Sequence, residues 1–296
     1  MTHPILSRRA VLGGAAAAAA VAATAAATVG GGSMAYAAGS ASIAALEQKH
    51  GRLLGVWAKN IRTGRTMEHR AEERFPMLST FKTLLAAQIL RDLPRRTLQQ
   101  RLTWDASDVV ANSPITSLTT RNGLTVAQLC EATVTRSDNT AANVLMRLIG
   151  GPAGVTAFAR SLGDDVSRLD RWEPELNSAI PGDLRDTTTP HAIARSYTKL
   201  LLGNALDRTD RDQLTTWMLA NQSTVTRFGA GVPASWRLAD KTGGGDYATR
   251  NDVGVTWTPD GAPIVIAALT RSDDPAAAPL DTPLADIAAT VCGELG

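Results

Sequence analysis

Ser79 and Lys82 stand three residues apart in Pro76-Met77-Leu78-Ser79-Thr80-Phe81-Lys82-Thr83-Leu84-Leu85, where an apolar lead-in gives way to helical spacing. On a helix, side chains so placed share a face about one turn apart. If that face is buried, desolvation lowers the lysine pKa, and a neutral amine can take the proton of the hydroxyl. A serine can then become a nucleophile without a histidine. The same residues also read as a Ser N-cap followed by a solvated lysine, and S-x-x-K alone does not decide between the two.

Three more clusters carry groups of chemical use. Ser137-Asp138-Asn139 lies between two helical patterns, and its hydroxyl and amide suit proton transfer and substrate hydrogen bonding. It reads equally as an N-cap cluster. Arg168 to Pro190 has little periodicity and carries opposite charges at its ends, so an Arg171–Asp186 pair would pin the neck of a packed Ω-loop. Within it, Glu173 between Trp172 and Pro174 is a candidate shielded general base, and Asn177 a candidate to position water. The plainer reading is an exposed loop with solvated charges. Lys241-Thr242-Gly243-Gly244-Gly245 ends an apolar strand pattern. Its lysine can bind a carboxylate and a strand N–H can face an oxyanion, or the run is only a Gly-rich turn.

These residues must be held by elements that the patterning predicts. Arg52 to Lys59 and Thr66 to His69 read as a strand pair around Thr63-Gly64. From Ser79 to about Leu219 the chain is helix-rich, with helical spacing over 124–131, 140–149, 155–162, 191–202 and 206–220. Gly150-Gly151-Pro152 and Gly163 are stops. Trp236 to Lys241, Asp252 to Thr258 and Pro263 to Thr270 read as strands, with Asp260-Gly261 marking a hairpin, and Leu280 to Leu295 returns to helical spacing. Early strands must join late ones to be stable. The expected fold is α+β: an antiparallel sheet flanked by terminal helices, with an all-α domain inserted. The expected division is a sheet domain of 38–76 and 220–296 and a helical domain of 77–219, with the Ω-loop at 168–186.

The 296 residues, 44% hydrophobic and 20% charged, suit an ordinary globular enzyme. A net charge of +2 with scattered arginines gives no sign of nucleic-acid or membrane binding. At the N-terminus, Arg8-Arg9 precedes a weakly hydrophobic Ala-rich run and the A-x-A site Ala35-Tyr36-Ala37. Residues 1–37 therefore read as a twin-arginine export signal, with secretion or a cell-envelope location expected. Cys130 reads as a buried thiol, and with Cys292 makes no disulfide framework. No clustered ligands call for a metal, and no cofactor is expected.

S-x-x-K, S-D-N, E-P-E-L-N and K-T-G occur in that order, and S-x-x-K, S-D-N and K-T-G are the known signature of class A β-lactamases and penicillin-binding proteins. From about residue 40 to its end the chain resembles a class A serine β-lactamase. The resemblance extends over Ser137–Asn143, Arg168–Asn177 and Asp240–Gly243. It implies that Ser79 attacks a lactam carbonyl to form an acyl-enzyme, with Lys82 moving the proton. It implies that Glu173 activates the deacylating water, held by Asn177, and that Ser137 protonates the lactam nitrogen. Asn139 would bind the substrate side-chain amide, Lys241 and Thr242 of the Lys241–Gly243 motif the substrate carboxylate, and the amides of Ser79 and Gly244 would form the oxyanion hole. The expected enzyme is a monomer that confers resistance to penicillins, with cephalosporins as the further candidate class, its partner a small-molecule β-lactam.

This sequence departs from the common pattern around the substrate. Asn112 stands where relatives often have Tyr or Trp, and Gly244 where a hydroxyl or Ala is usual. Relatives often supply one auxiliary arginine for the substrate carboxylate from one of two places, and Arg227 and Arg250 align with both. Ala86 removes one disulfide partner for Cys130, and Gly245 removes the cysteine of some carbapenem-hydrolysing relatives. The alternatives are a penicillin-binding D,D-peptidase or transacylase, and a non-enzymatic lactam-sensing module. Glu173 argues against the first, because without a deacylating base the acyl-enzyme persists.

Overall fold

A computed structural model describes residues 41–296. The export-signal reading falls on residues 1–37, outside the described residues. In chain order the elements are α1 (41–50), β1 (Leu53–Asn60), β2 (Thr66–His69), β3 (Phe75–Pro76), α2 (Phe81–Asp92), β4 (Arg101–Leu102) and β5 (Leu124–Thr125). There follow α3 (Val126–Thr135), α4 (Asn139–Leu148), α5 (Pro152–Ser161), β6 (Thr187–Thr188), α6 (Pro190–Leu201) and α7 (Arg208–Leu219). The chain ends with α8 (Phe228–Gly231), β7 (Arg237–Gly244), β8 (Arg250–Trp257), β9 (Pro263–Arg271) and α9 (Thr282–Leu295).

The main sheet is antiparallel in the order β2-β1-β9-β8-β7, so the early hairpin joins the late strands through β1 and β9. Strand alternation sorts its side chains between two cores. On β9, Ile264, Ile266 and Ala268 meet Ile43 of α1 and Leu284, Ile287 and Val291 of α9. Val265, Ala267 and Leu269 face the other way, into a core shared with α2 to α7. The α+β expectation therefore holds, with helices on both faces of the sheet.

Local chemistry sets the helix starts. Thr125 and Gln128 form a capping box on α3, Asp138 accepts from Ala141 N at 2.9 Å to cap α4, and Thr189 and Asp207 cap α6 and α7. Ser79 is no N-cap. It sits in a 3-10 turn, Leu78–Thr80, ahead of α2, whose first cap position is Thr80. The strand that was expected to stop at Lys241 runs on to Gly244, because its pairing with β8 continues through Gly243↔Asn251 and Gly244↔Arg250. The Lys-Thr-Gly run is thus strand, and the turn starts beyond it.

Two short ribbons had no strong periodic signal. One pairs β3 with β6, which docks the far end of the Ω-loop beside the 3-10 turn. Met77 N reinforces this by donating to Asp186 O at 2.7 Å. Among the described residues no helix is long and apolar enough to cross a membrane, and both cysteines are buried free thiols.

Candidate active site

The 3-10 turn carrying Ser79 is wedged between α2 and the end of β7. A Cβ on Gly243 would lie 2.8 Å from Leu78 Cβ and 3.3 Å from Ser79 N, so only glycine lets the strand come this close. From α6, the Tyr197 hydroxyl lies 2.8 Å from Thr80 O and 2.9 Å from Thr83 Oγ1, which holds the start of α2. Ser79 itself is 6% exposed and opens into a cavity of about 340 Å³. Ser137, Asn139, Asn177, Thr242 and Gly244 share that cavity with Arg227 and Arg250.

Lys82 projects from α2 into fully buried space. Its Nζ donates to Asn139 Oδ1 at 2.6 Å and to Ser137 O at 2.8 Å, and lies 3.3 Å from Ser137 Oγ. Glu173 Oε1 is 3.0 Å away, close enough for an ion pair but at an angle poor for a hydrogen bond. Burial pushes the Lys82 ammonium below its ordinary range, opposed by the charge of Glu173. Among the described residues no side chain hydrogen-bonds Ser79 Oγ, so the lysine is held by these acceptors and not by the serine it neighbours.

Ser137 comes from the loop between α3 and α4, with φ of 54°. Its Oγ lies between two ammonium groups, 3.3 Å from Lys82 Nζ and 3.2 Å from Lys241 Nζ. Asp138, the middle residue of that motif, is structural. Its carboxylate accepts from Ile115 N, Thr116 N, Thr116 Oγ1 and Ala141 N at 2.6–2.9 Å, tying the neighbouring loop to α4. Asn139 Nδ2 donates to Ala111 O at 2.9 Å, and Asn112 Nδ2 donates to Ser137 O at 3.0 Å.

The Ω-loop brings Glu173 to 2% exposure. Arg171 Nε donates to Asp186 Oδ2 at 2.5 Å, forming the neck pair that the charges suggested. Trp172 does not shield Glu173. It is 39% exposed, with its ring against Gly151. The grip on Glu173 comes from Asn143, one turn beyond Asn139 on α4, which bonds both its N–H and its C=O. Asn177 Nδ2 donates to Glu173 Oε2, while Asn177 Oδ1 is buried without a protein partner. Sequence reasoning missed Asn143 as a site residue. Its signals were the four-residue spacing from Asn139 and its place at the end of the Ser137–Asn143 stretch of resemblance.

Lys241 is fully buried, and its Nζ donates to Thr242 O at 2.9 Å. Burial first, then the charge of Lys82, lowers its pKa to about 7. Behind it, Asp240 and Asp252 are buried together. Burial raises the pKa of both, and the charge of Asp240 raises Asp252 further. Arg227 and Arg250 both line the cavity, so neither is turned away. Ser223, also on the wall, carried no sequence signal.

A buried Ser, Lys and Glu, with a second buried lysine reaching Ser137 of the cavity lining, suit acyl transfer to and from a serine. Comparison with known proteins agrees. A family model described as the Beta-lactamase enzyme family matches residues 39–295. A β-lactamase of Streptomyces cellulosae is 51% identical over 257 residues, which are 85% of this chain and 83% of that protein. The solved β-lactamase from Streptomyces albus G superposes with a TM-score of 0.86 at 50% identity, covering 88% of this chain and 100% of that one. An ancestral class A β-lactamase gives 0.82 at 48% identity, covering 86% and 98%. With four motifs gathered around one cavity and half the residues shared with such proteins over most of its length, this chain belongs to the class A serine β-lactamase family.

Proposed function

We propose that this β-lactam hydrolase works through an ester on Ser79, formed and then hydrolysed with Glu173 as the deacylating base. The ring carboxylate is received by Lys241, Thr242 and the arginine side of the cavity. The lactam carbonyl oxygen takes hydrogen bonds from the amides of Ser79 and Gly244, where each donor is worth a factor of about 10²–10³ in rate. Ser79 Oγ attacks the carbonyl carbon, and its proton passes into the Lys82–Glu173 pair. The two groups stand 3.0 Å apart, close enough for either to receive it. As the C–N bond breaks, Ser137 Oγ gives its proton to the lactam nitrogen and is resupplied from Lys82 or Lys241, 3.3 and 3.2 Å away. Asn139 binds the substrate side-chain amide. Glu173 then takes a proton from a water also held by Asn177. The hydroxide adds to the ester carbonyl, the bond from the carbonyl carbon to Ser79 Oγ breaks, and Ser79 leaves as the alcohol with the proton returned through Glu173 and Lys82.

The observation that carries this reading is Glu173, buried, gripped by Asn143 and 3.0 Å from Lys82. A D,D-peptidase has no need of such a base. Glu173→Ala is expected to acylate and stall, leaving a lactam-sized mass on Ser79. Turnover at the native rate with no adduct would overturn the role of Glu173.

We read the enzyme as a monomer built from the sheet domain (38–76 and 220–296) and the helical domain (77–219), exported by the twin-arginine route. Replacing Arg8 and Arg9 by lysine should then keep the protein in the cytoplasm.

A further inference from the structure

Three consecutive residues, Ser137, Asp138 and Asn139, are tied to one neighbouring loop, residues 111–116. Asp138 accepts from the amides of Ile115 and Thr116, both at 2.9 Å. Asn139 donates through Nδ2 to Ala111 O at 2.9 Å and through its backbone N–H to Asn112 O at 3.0 Å. Ser137 is tied by a side chain: Asn112 Nδ2 donates to Ser137 O at 3.0 Å. Asn112 thus grips the motif at both ends. Its carbonyl accepts from Asn139, and its side-chain amide donates to Ser137.

The bond to Ser137 matters most. Ser137 has a φ of 54°, a left-handed conformation that a non-glycine residue keeps only where its surroundings hold it. Among the described residues, the hydrogen bonds to the Ser137 main chain end on its carbonyl oxygen, from Lys82 Nζ at 2.8 Å and from Asn112 Nδ2. The two donors differ in kind. Lys82 changes its charge as it passes a proton, and a neutral amine is a weaker donor than an ammonium. A carboxamide does not titrate, so Asn112 is the constant partner. It stands at a φ of 58°, a conformation that Asn tolerates better than most residues. The place of Ser137 Oγ between two ammonium groups, 3.3 and 3.2 Å away, depends on this peptide unit staying put.

We propose that Asn112 is a positioning residue for proton delivery: by holding Ser137 O it keeps Ser137 Oγ aimed at the lactam nitrogen. This rests on the acyl-transfer reading above. As the tetrahedral adduct on Ser79 collapses, the electron pair of the C–N bond goes to nitrogen. Nitrogen takes the Ser137 Oγ proton, and Oγ is resupplied from Lys82 or Lys241. A leaving group that departs as a stable anion has no need of that proton.

The test compares two substrates with the same phenylacetamido side chain, a penicillin and an acyclic aryl ester. The ester expels a phenolate, the anion of an acid with a pKa of about 10, whereas the lactam nitrogen leaves as an amine. The quantity read is the ratio of kcat/KM for the penicillin to kcat/KM for the ester, since both values report acylation. Asn112→Gly keeps the backbone bond to Asn139 and the left-handed φ, and removes only the side chain. It should lower the ratio about tenfold. Asn112→Asp, equal in shape but without a donor when ionised, should lower it as far. In Ser137→Ala the ratio should fall as well, and adding Asn112→Gly should bring no further fall, because the two act through one proton. Equal losses on both substrates in Asn112→Gly, or a further fall in the double variant, would overturn the inference alone. A ratio that Ser137→Ala leaves unmoved would remove the proton-donor role of Ser137, and this inference with it. Ester turnover and the melting temperature show that each variant is folded.

Discussion

Asn143 grips Glu173 by its backbone: Nδ2 donates to Glu173 O at 2.8 Å, and Glu173 N donates to Asn143 Oδ1 at 3.0 Å. A residue on a helix thereby fixes a catalytic candidate on a loop. Asn143→Ala removes both bonds and leaves two buried backbone groups unpaired, at about 1–3 kcal/mol each. We expect a clear fall in melting temperature. We also expect deacylation to slow by about 10²-fold through misplacement of the carboxylate, with acylation less affected. Rapid-mixing kinetics would then show a burst followed by slow turnover. Native deacylation in this variant would show that the grip does not position Glu173.

The neck of the Ω-loop gives a second expectation. Asp186 is buried and accepts from Arg171 Nε at 2.5 Å and from the backbone N–H groups of Asp170 and Arg171 at 2.7 and 3.0 Å. Arg171 Nη1 also donates to Ser178 Oγ at 2.9 Å, across the loop. Removing one partner of a buried pair costs about 3–5 kcal/mol. Arg171 is 19% exposed at its side chain, and the amides still serve Asp186, so Arg171→Ala should cost less, about 2 kcal/mol. Calorimetric melting checks the size. Because Glu173 and Asn177 ride on this loop, deacylation should fall more than acylation. An unchanged melting temperature and deacylation rate would rule out the clamp.

Lys241 leads to a pH dependence. Its pKa is lowered to about 7 by burial and by Lys82, with Asp240 and Asp252 opposing and Arg227 adding to the fall. Substrate carboxylate binds the ammonium form better, so kcat/KM should decline as pH rises through about 7. Two guanidinium groups, Arg227 and Arg250, also line the cavity, so the decline should be shallower than tenfold per pH unit. Stability moves the other way. Between about 7 and the ordinary lysine value of 10.5, the unfolded chain holds a proton that folded Lys241 lacks. The cost of burying this lysine is therefore greatest below about pH 7 and fades as pH rises through that window. Lys241→Arg keeps its charge and should flatten the alkaline limb of kcat/KM. Identical profiles for the two proteins would sink this assignment.

The elements were legible because their signals are local. The Val-, Ile-, Trp- and Thr-rich runs of β8 and β9, the Asp260-Gly261 turn and the cap cluster around Asp138 depend on neighbours in sequence. Ends were less legible. Whether β7 stops at Lys241 or runs to Gly244 depends on the hydrogen-bond register offered by β8, and Ser79 looked like a cap although Thr80 takes that position.

The sequence by itself determined the ordered set of Ser79, Lys82, Ser137, Glu173 and Lys241, and with it the family and the chemistry on offer. Only the tertiary structure decided which of those groups meet and how burial acts on them. It put Lys82 against Glu173, Asn139 and Ser137, made Asn143 the holder of Glu173, and set Arg227 and Arg250 over one Asp281 beside Gly244. The reason is physical. Residue type and spacing fix what a group can do and which local element it enters, whereas pKa, orientation and reach arise from burial and from contacts between segments far apart in the chain.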